Sequence, residues 1–260
     1  MGTQGKDWIK FLGTAGARFV VMRQLRASGG VWLSLRGKNI LLDPGPGTLV
    51  RCAASRPRLD PSQLDAIILT HRHIDHSTDI NVMIEAMTEG GFKRRGMLFA
   101  PADALESDDP VVLKYARKFV EHLELLGPEK HYKIGELSFH TSIRHQHAAE
   151  TYGVMFDLPK GRLSFLVDTQ FFPGLEKTYA GTRTLVMNVV RLKPDEKGEI
   201  MHLCLDDAMR LIAAIRPERA VLTHFGMTML RAKPWELAEA MTQELGVEVL
   251  AARDGMTLEL

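Results

Sequence analysis

The chain alternates between short apolar runs, which predict strands, and longer segments in which apolar residues recur at helical spacing. Runs rich in branched or aromatic side chains predict strands at 31–35, 39–42, 64–69, 97–100, 163–167 and 220–223. Helical spacing predicts helices over 80–87 and 209–215, and the run at 247–258 predicts a β-hairpin. This mixture of elements predicts an α/β protein.

The segment from about 89 to 135 carries a separate pattern. An Asp-Pro pair at 109–110 is typical of a helix start, and a Gly-Pro pair at 127–128 is typical of a helix end. Apolar residues at helical spacing between these pairs predict one amphipathic helix. The helix would either cover the domain or act as a lid that shapes a substrate pocket. The side chains that would reach into such a pocket are Tyr115, Arg117 and Lys118.

One short segment, Thr70-His71-Arg72-His73-Ile74-Asp75-His76, concentrates the chemistry of the chain. Such a cluster is difficult to explain as structure, because protonated histidines repel each other and a packed core has little use for adjacent polar groups. Neutral imidazole nitrogen and carboxylate oxygen are ligands that zinc and similar ions prefer. His71 and His73, two apart on an extended chain, point to the same side. Asp75 and His76 turn with the following helix, so they can face a second ion.

The pattern Thr-His-x-His-x-Asp-His resembles the signature of the metallo-β-lactamase-fold hydrolases. The resemblance implies that a histidine, an aspartate and a last histidine follow in that order, each after a strand. His147, six residues before Gly153, is the first of these, and Asp168 and His224 follow two later predicted strands. His145 is the alternative to His147; otherwise it lies behind the ligands or on the strand surface.

The resemblance implies a dinuclear site. His71, His73 and His147 would hold one ion, Asp75, His76 and His224 would hold the other, and Asp168 would lie between them. The implied cofactors are two divalent metal ions, Zn first, with Mn or Fe as alternatives. Asp75 would also accept a hydrogen bond from the nucleophile and orient its attack. The implied fold is a four-layer αβ/βα sandwich with the site at one edge of its two sheets.

His202 favours one branch of this family. It precedes His224 by 22 positions and resembles the histidine that meets the phosphoryl oxygen or the leaving group in ribonuclease Z and related phosphodiesterases. The segment 39–47 resembles the same branch, with Asp43 holding the metal loop from behind. We therefore expect hydrolysis of a phosphodiester-type bond, with His202 and Asp75 as the catalytic residues. The alternatives are hydrolysis of an ester, thioester or lactone, and a non-catalytic or redox metal-binding module.

Composition bounds these expectations. At 260 residues and 45% hydrophobic, the chain suffices for one well-cored domain, 1–260, with the segment 89–135 as its cover or lid. Apolar runs stay well short of the roughly 20 residues of a membrane span. Two distant cysteines, Cys52 and Cys204, form no disulfide framework and predict a reducing, cytoplasmic location.

The net charge of the chain limits the class of partner or substrate that we expect. The 33 basic and 32 acidic side chains give a net charge of +1, without the basic footprint of a dedicated nucleic-acid binder. We therefore expect a small phosphorylated or ester substrate rather than structured RNA, and no membrane partner. A homodimer is compatible with the sequence.

Overall fold

The computed structural model describes residues 6–195 and 197–260, which contain two seven-stranded sheets. The strands of the first sheet are β1 (Trp8–Phe11), β2 (Val31–Leu35), β3 (Lys38–Leu42), β4 (Ala66–Ile68), β5 (Met97–Ala100), β6 (His122–Leu125) and β14 (Thr257–Glu259). The strands of the second sheet are β7 (His131–Ile134), β8 (Leu137–Arg144), β9 (Tyr152–Leu158), β10 (Gly161–Leu166), β11 (Thr182–Asn188), β12 (Arg219–Thr223) and β13 (Glu248–Ala251). The strands predicted between 31 and 223 are confirmed, with bounds shifted by at most about two residues.

Helices flank both sheets. They are α1 (Ala17–Met22), α2 (Thr48–Ala54), α3 (Ile74–Ser77), α4 (Ile80–Met87), α5 (Asp103–Glu106), α6 (Leu175–Thr178), α7 (Leu205–Ile215), α8 (Met227–Arg231) and α9 (Pro234–Leu245). The helices predicted over 80–87 and 209–215 are therefore confirmed as α4 and α7. Within the described ranges, none of the helices combines the length and the apolar character needed to cross a bilayer.

Three apolar clusters join the sheets and helices into four layers. The central cluster lies between the two sheets and includes the buried rings of Phe99, Phe139 and Phe156. A second packs α4 against the outer face of the first sheet through side chains such as Met83. A third packs α7 and α9 against the outer face of the second sheet through side chains such as Leu211. Because each sheet is covered on both faces, the predicted four-layer αβ/βα sandwich is confirmed.

Parallel strands bring polar residues to one edge of the two sheets. β3 and β4 run parallel in the first sheet, and β10, β11 and β12 run parallel in the second. Asp43 and Thr70 come shortly after β3 and β4, whereas Asp168 and His224 come shortly after β10 and β12. Because parallel strands end at the same edge of a sheet, four separate segments place their polar side chains together.

The prediction of a helix after position 109 is wrong. The structure has a short 3₁₀ turn at Ala116–Lys118 and then β6, which pairs in parallel with β5. The residues at helical spacing do not share one buried face: Val112 and Leu126 are buried, whereas Tyr115 and Leu123 are exposed. The chain then extends because β5 would otherwise leave the backbone groups of its outer edge unpaired. Tertiary pairing therefore overrides the local pattern.

Two of the side chains proposed for a lid have other partners. The Tyr115 hydroxyl donates to the Glu85 carboxylate at 2.8 Å. The Arg117 guanidinium donates to the carbonyl oxygens of Leu105 and Val112, at 2.7 and 2.6 Å. These contacts tie the segment to the outer helical layer of the first sheet. In this arrangement both side chains contact the protein itself.

The prediction of a carboxyl-terminal hairpin is also wrong. β13 pairs with β12 in the second sheet, whereas β14 pairs with β1 in the first. The turn between them passes from one sheet to the other and is fixed by Asp254, whose carboxylate accepts from the Thr14 hydroxyl and the Ala27 N–H at 2.7 Å each. A polar, glycine-containing turn shows that the chain changes direction, but it does not show which neighbour the next strand will find.

Candidate metal centre

The residues predicted as ligands converge in two donor groups at the edge where the parallel strands end. The first group contains His71, His73, His147 and Asp168, and the second contains Asp75, His76 and His224. Within each group the donor atoms lie within 4.8 Å of one another. The structure therefore brings together every member of the predicted ligand set.

The Asp168 carboxylate lies between the two groups. Its Oδ2 is 3.6 Å from Nε2 of His71 and 3.4 Å from Nε2 of His76, and its Oδ1 is 3.4 Å from Nδ1 of His224. The side chain is buried, and Nδ2 of Asn188 donates to Oδ1 at 2.8 Å. A carboxylate in this position can serve both groups at once, as the resemblance implied.

Asp43 holds the histidine loop from behind. Its carboxylate accepts from the N–H and the hydroxyl of Thr70 at 2.7 Å each, and from Nδ1 of His76 at 2.9 Å. Gly45 lets the backbone of α3 approach closely, because a Cβ at this position would collide with the carbonyl of Asp75. The segment after β3 thus fixes the loop that carries four predicted ligands.

Hydrogen bonds select which ring nitrogen of three histidines faces the cluster. His76 donates its Nδ1–H to the aspartate behind the loop, and His147 donates its Nδ1–H to the carbonyl of Met201 at 3.0 Å. The Thr70 hydroxyl donates to the same aspartate and can accept the Nδ1–H of His71 at 3.1 Å. In the neutral form of each ring, Nε2 then keeps its lone pair toward the cluster, and this is the form that binds a metal.

Burial and charge set the protonation states. Burial holds the pKa of His71 well below its usual range, and the neighbouring His76 lowers it further. Burial alone would raise the pKa of Asp168, but nearby histidines, first His224 and then His202, hold it well below its usual value. Neutral His71 and ionised Asp168 are the states that bind a divalent cation.

The donor groups fit divalent cations. Burial acts to lower the pKa of His76, but the carboxylates of Asp75, Asp168 and Asp43 outweigh it and hold that pKa well above the usual value. These carboxylates therefore stabilise positive charge in the second group. In the first group, Nε2 of His71 is buried without a hydrogen-bond partner among the described residues, which is costly unless a ligand takes its lone pair.

His202 lies at the rim of the cluster. Its Nδ1 is 3.6 Å from Oδ2 of Asp168, and its ring is centred 5.0 Å from that of His147. Burial lowers the pKa of His202 to about 4, so the ring is neutral near pH 7. It belongs to neither donor group and is partly exposed, so it can contact a molecule bound at the cluster.

His145 and His147 occupy different positions relative to the donor groups. His147 points into the first donor group, where its Nε2 is 2.9 Å from Nδ1 of His73. His145 is buried behind the group and contacts the main chain of Asp168 and the hydroxyl of Tyr179. Placing His147 in the ligand set and His145 behind it agrees with the sequence interpretation.

Sequence reasoning missed several residues that support the cluster. Asn188 ends β11 as Asp168 and His224 end their own runs, so its place after an apolar run was an available signal. The main-chain carbonyl of Met201 left no signal in the sequence, because every residue offers the same atom. Tyr179 was also missed, since it directly follows α6, a segment that carries no motif.

Replacing Asp43 with asparagine should weaken metal binding. The new amide can accept only part of the hydrogen bonds from Thr70 and His76, so both side chains lose their fixed orientation. Loss of such a supporting contact typically costs about 10–100-fold in metal affinity. Competition with a chromophoric chelator measures the loss. Asp254→Asn is the matched control, since Asp254 also accepts from a threonine hydroxyl and an N–H; equal affinities in the two variants would contradict the role of Asp43.

The sequence profile of the beta-lactamase superfamily domain matches residues 38–225. This span covers most of the chain and contains all seven predicted ligands. The chain therefore belongs to the beta-lactamase superfamily, and its fold is that of the metallo-β-lactamase-type hydrolases, for which divalent metal ions are implied.

Two relatives place the chain within this family. An uncharacterised protein of Methanocaldococcus jannaschii is 32% identical over 262 residues, which cover 97% of this chain and 94% of that protein. A ribonuclease Z of Methanopyrus kandleri is 26% identical over 155 residues, covering 58% of this chain and 50% of that enzyme. The resemblance to the ribonuclease Z branch is thereby confirmed.

Solved structures show the same fold over the whole chain. The metallo-beta-lactamase fold protein YhfI from Bacillus subtilis has a TM-score of 0.81 at 17% identity, covering 98% of this chain and 100% of that one. A diphosphatase from the PhnP family has a TM-score of 0.70 at 20% identity, covering 98% and 97% of the two chains. At these identities the likeness concerns the fold.

Proposed function

We propose that this protein is a dinuclear metal-dependent phosphodiesterase that acts on a small phosphorylated substrate in the cytoplasm. The observation that carries the proposal is the shared carboxylate of Asp168, which lies 3.4–3.6 Å from nitrogen donors of both groups. Zn is the expected ion, with Mn or Fe as alternatives that accept the same imidazole and carboxylate donors.

The residues around the cluster have separate tasks in this proposal. Two divalent ions, when bound, lower the pKa of a water from about 15.7 to near 7 and stabilise negative charge on a phosphoryl group. Asp75, whose pKa is held low by His76 and His224 despite its burial, remains ionised and accepts the hydrogen bond that orients the attacking water. Neutral His202 donates a ring N–H to a phosphoryl oxygen or to the leaving oxygen.

The relatives and the charge of the chain support the substrate class. A relative named ribonuclease Z and a structural neighbour described as a diphosphatase both have names that denote hydrolysis at phosphorus. His202 lies beside the cluster and outside both donor groups, so it can contact a phosphoryl group bound there. A net charge of +1 favours a small substrate over structured RNA, because extended RNA contacts require a basic surface.

A panel of substrates tests the proposal. Protein loaded with Zn or Mn is incubated with an activated phosphodiester, a phosphomonoester, a thioester, a lactone and a precursor transfer RNA. We expect the phosphodiester to be cleaved fastest. Asp75→Ala should lower that turnover by at least about 100-fold, because it removes a metal ligand and the group that orients the water.

Controls separate the outcomes. Asp108→Ala, which changes an exposed aspartate in a loop, should turn over the phosphodiester like the wild type. Fastest turnover of the thioester or lactone would move the function to those substrates, and fastest turnover of the transfer RNA would overturn the small-substrate proposal. Wild-type protein that holds two metal ions and cleaves nothing would support a non-catalytic module instead.

A further inference from the structure

Both ring nitrogens of His145 have a partner deep in the second sheet. The side chain is 2% exposed and follows β8 directly. Nδ1 is 3.2 Å from the main-chain carbonyl oxygen of Asp168, and Nε2 is 2.9 Å from the hydroxyl of Tyr179. Because a carbonyl only accepts, Nδ1 carries the hydrogen and Nε2 accepts from the tyrosine. The two partners thus fix one tautomer and one ring orientation.

The chain makes room for this pair with a glycine. Gly153 lies on β9, and a Cβ at this position would overlap the hydroxyl of Tyr179. The hydroxyl can therefore reach His145 only because residue 153 has no side chain. The glycine that follows the ligand His147 along the sequence is consequently a packing partner of the pair. It does not serve a turn, since it lies within the strand.

The pair connects two of the loops that carry the first donor group, those of His147 and Asp168. His145 is two residues before His147, and it bonds the residue that supplies the shared carboxylate. Neighbouring bonds run between the same loops: the Gln146 N–H donates to the Thr169 hydroxyl at 3.2 Å, and the Gln170 N–H donates to the Gln146 carbonyl at 3.0 Å. The bond from His145 is the buried one, where an unpaired polar group costs most.

We infer that the His145–Tyr179 pair is a positioning device that sets the main chain of Asp168 relative to His147 and thereby determines how tightly the cluster binds its metal ions. Asn188 orients the carboxylate from its side-chain end, at 2.8 Å, and His145 fixes the same residue from its main-chain end, at 3.2 Å. His145 touches no reacting atom. Its effect passes through Asp168, and the inference rests on the metal centre of the proposed function.

Two substitutions at one position separate the two contacts of the ring. In His145→Asn the side-chain amide can donate from nearly the place of Nδ1, so the bond to the Asp168 carbonyl is kept. In His145→Gln the amide reaches the place of Nε2, so the contact with Tyr179 is kept and the bond to Asp168 is lost. Tyr179→Phe removes only the hydroxyl and preserves the volume of the ring.

Metal affinity measured with a chromophoric chelator, and the visible spectrum of the Co²⁺-loaded protein, provide readouts besides activity. We expect His145→Gln to bind metal roughly 10–100-fold more weakly than the wild type and to show an altered Co²⁺ spectrum. His145→Asn should recover most of the affinity, and Tyr179→Phe should lose less than His145→Gln. His140→Gln, which changes a half-buried histidine on the same strand away from the cluster, is the control and should bind like the wild type.

The inference is overturned if His145→Gln binds metal with wild-type affinity and spectrum, even if its melting temperature falls. Should that variant fail to fold, unchanged metal affinity and an unchanged spectrum in Tyr179→Phe overturn it equally. The wild type distinguishes this failure from failure of the proposed function. Two tightly bound ions without phosphodiester turnover would reject the function and leave the inference standing, whereas no metal binding at all would reject both.

Discussion

An Asp168→Asn variant is expected to lose most of its bound metal and at least about 100-fold in phosphodiester turnover, more than the loss of a supporting contact usually costs. The substitution preserves shape but removes the charge from a carboxylate that lies 3.4–3.6 Å from nitrogens of both donor groups. It also replaces the carboxylate that accepts the Asn188 hydrogen bond with an amide, half of which is a donor. Metal content after dialysis, determined by mass spectrometry, and steady-state kinetics measure the two losses.

The control for this variant is Asp157→Asn. Asp157 is an aspartate of β9 whose carboxylate pairs with Arg162 at 2.8 Å and is largely exposed, so its neutralisation should leave metal content and turnover unchanged. If Asp168→Asn retained two equivalents of metal, the assignment of Asp168 between the groups would be wrong. If it retained a single equivalent, the carboxylate would belong to one group alone.

The residues of the two donor groups could be predicted from the sequence because they lie in short, recognisable motifs. Four ligands lie within six residues, and Asp168 and His224 each follow an apolar strand directly. A strand end is visible in the sequence, and parallel strands necessarily end at one edge of a sheet. The family resemblance supplied the order in which the donors follow. The four-layer fold was likewise implied by this resemblance.

The elements that could not be predicted depend on partners distant in the chain. β6 forms because β5 presents an unpaired edge, and the helical spacing of apolar residues between 109 and 128 carries no record of that edge. β13 and β14 separate because each finds a different sheet, although the turn between them resembles that of a hairpin. In both places pairing across the sheet, and not the local pattern, decides the backbone conformation.

The supporting contacts of the site were hidden for a related reason. Asp43 was suggested by its position, yet the three bonds that its carboxylate accepts require β3 and β4 to lie side by side. The carbonyl that orients His147 belongs to Met201, but any residue at that position could offer it. A metal ligand must be one of a few side-chain types. The groups that hydrogen-bond to that ligand need only offer a donor or an acceptor at the right place.

Removing the metal ions should lower the stability of the whole domain. The cluster joins segments that follow strands in both sheets, so an ion bound there favours the folded state alone. One ion at a free concentration of 1,000 times its Kd contributes about 4.1 kcal/mol, which corresponds to roughly 8–16 °C in melting temperature for a domain of this size. Chelation of the protein loaded with two ions should therefore lower its melting temperature by at least this amount, and an excess of Zn should restore it.

The Asp168→Asn variant is the control for this measurement, because a protein that binds little metal has little stability to lose. Its melting temperature should change far less on chelation than that of the wild type. A wild-type melting temperature that did not respond to chelator would show that the donor groups hold no ion strongly enough to matter. An equal decrease in the variant would show that the chelated metal binds elsewhere, since the shared carboxylate would then contribute nothing to the linkage between metal binding and folding.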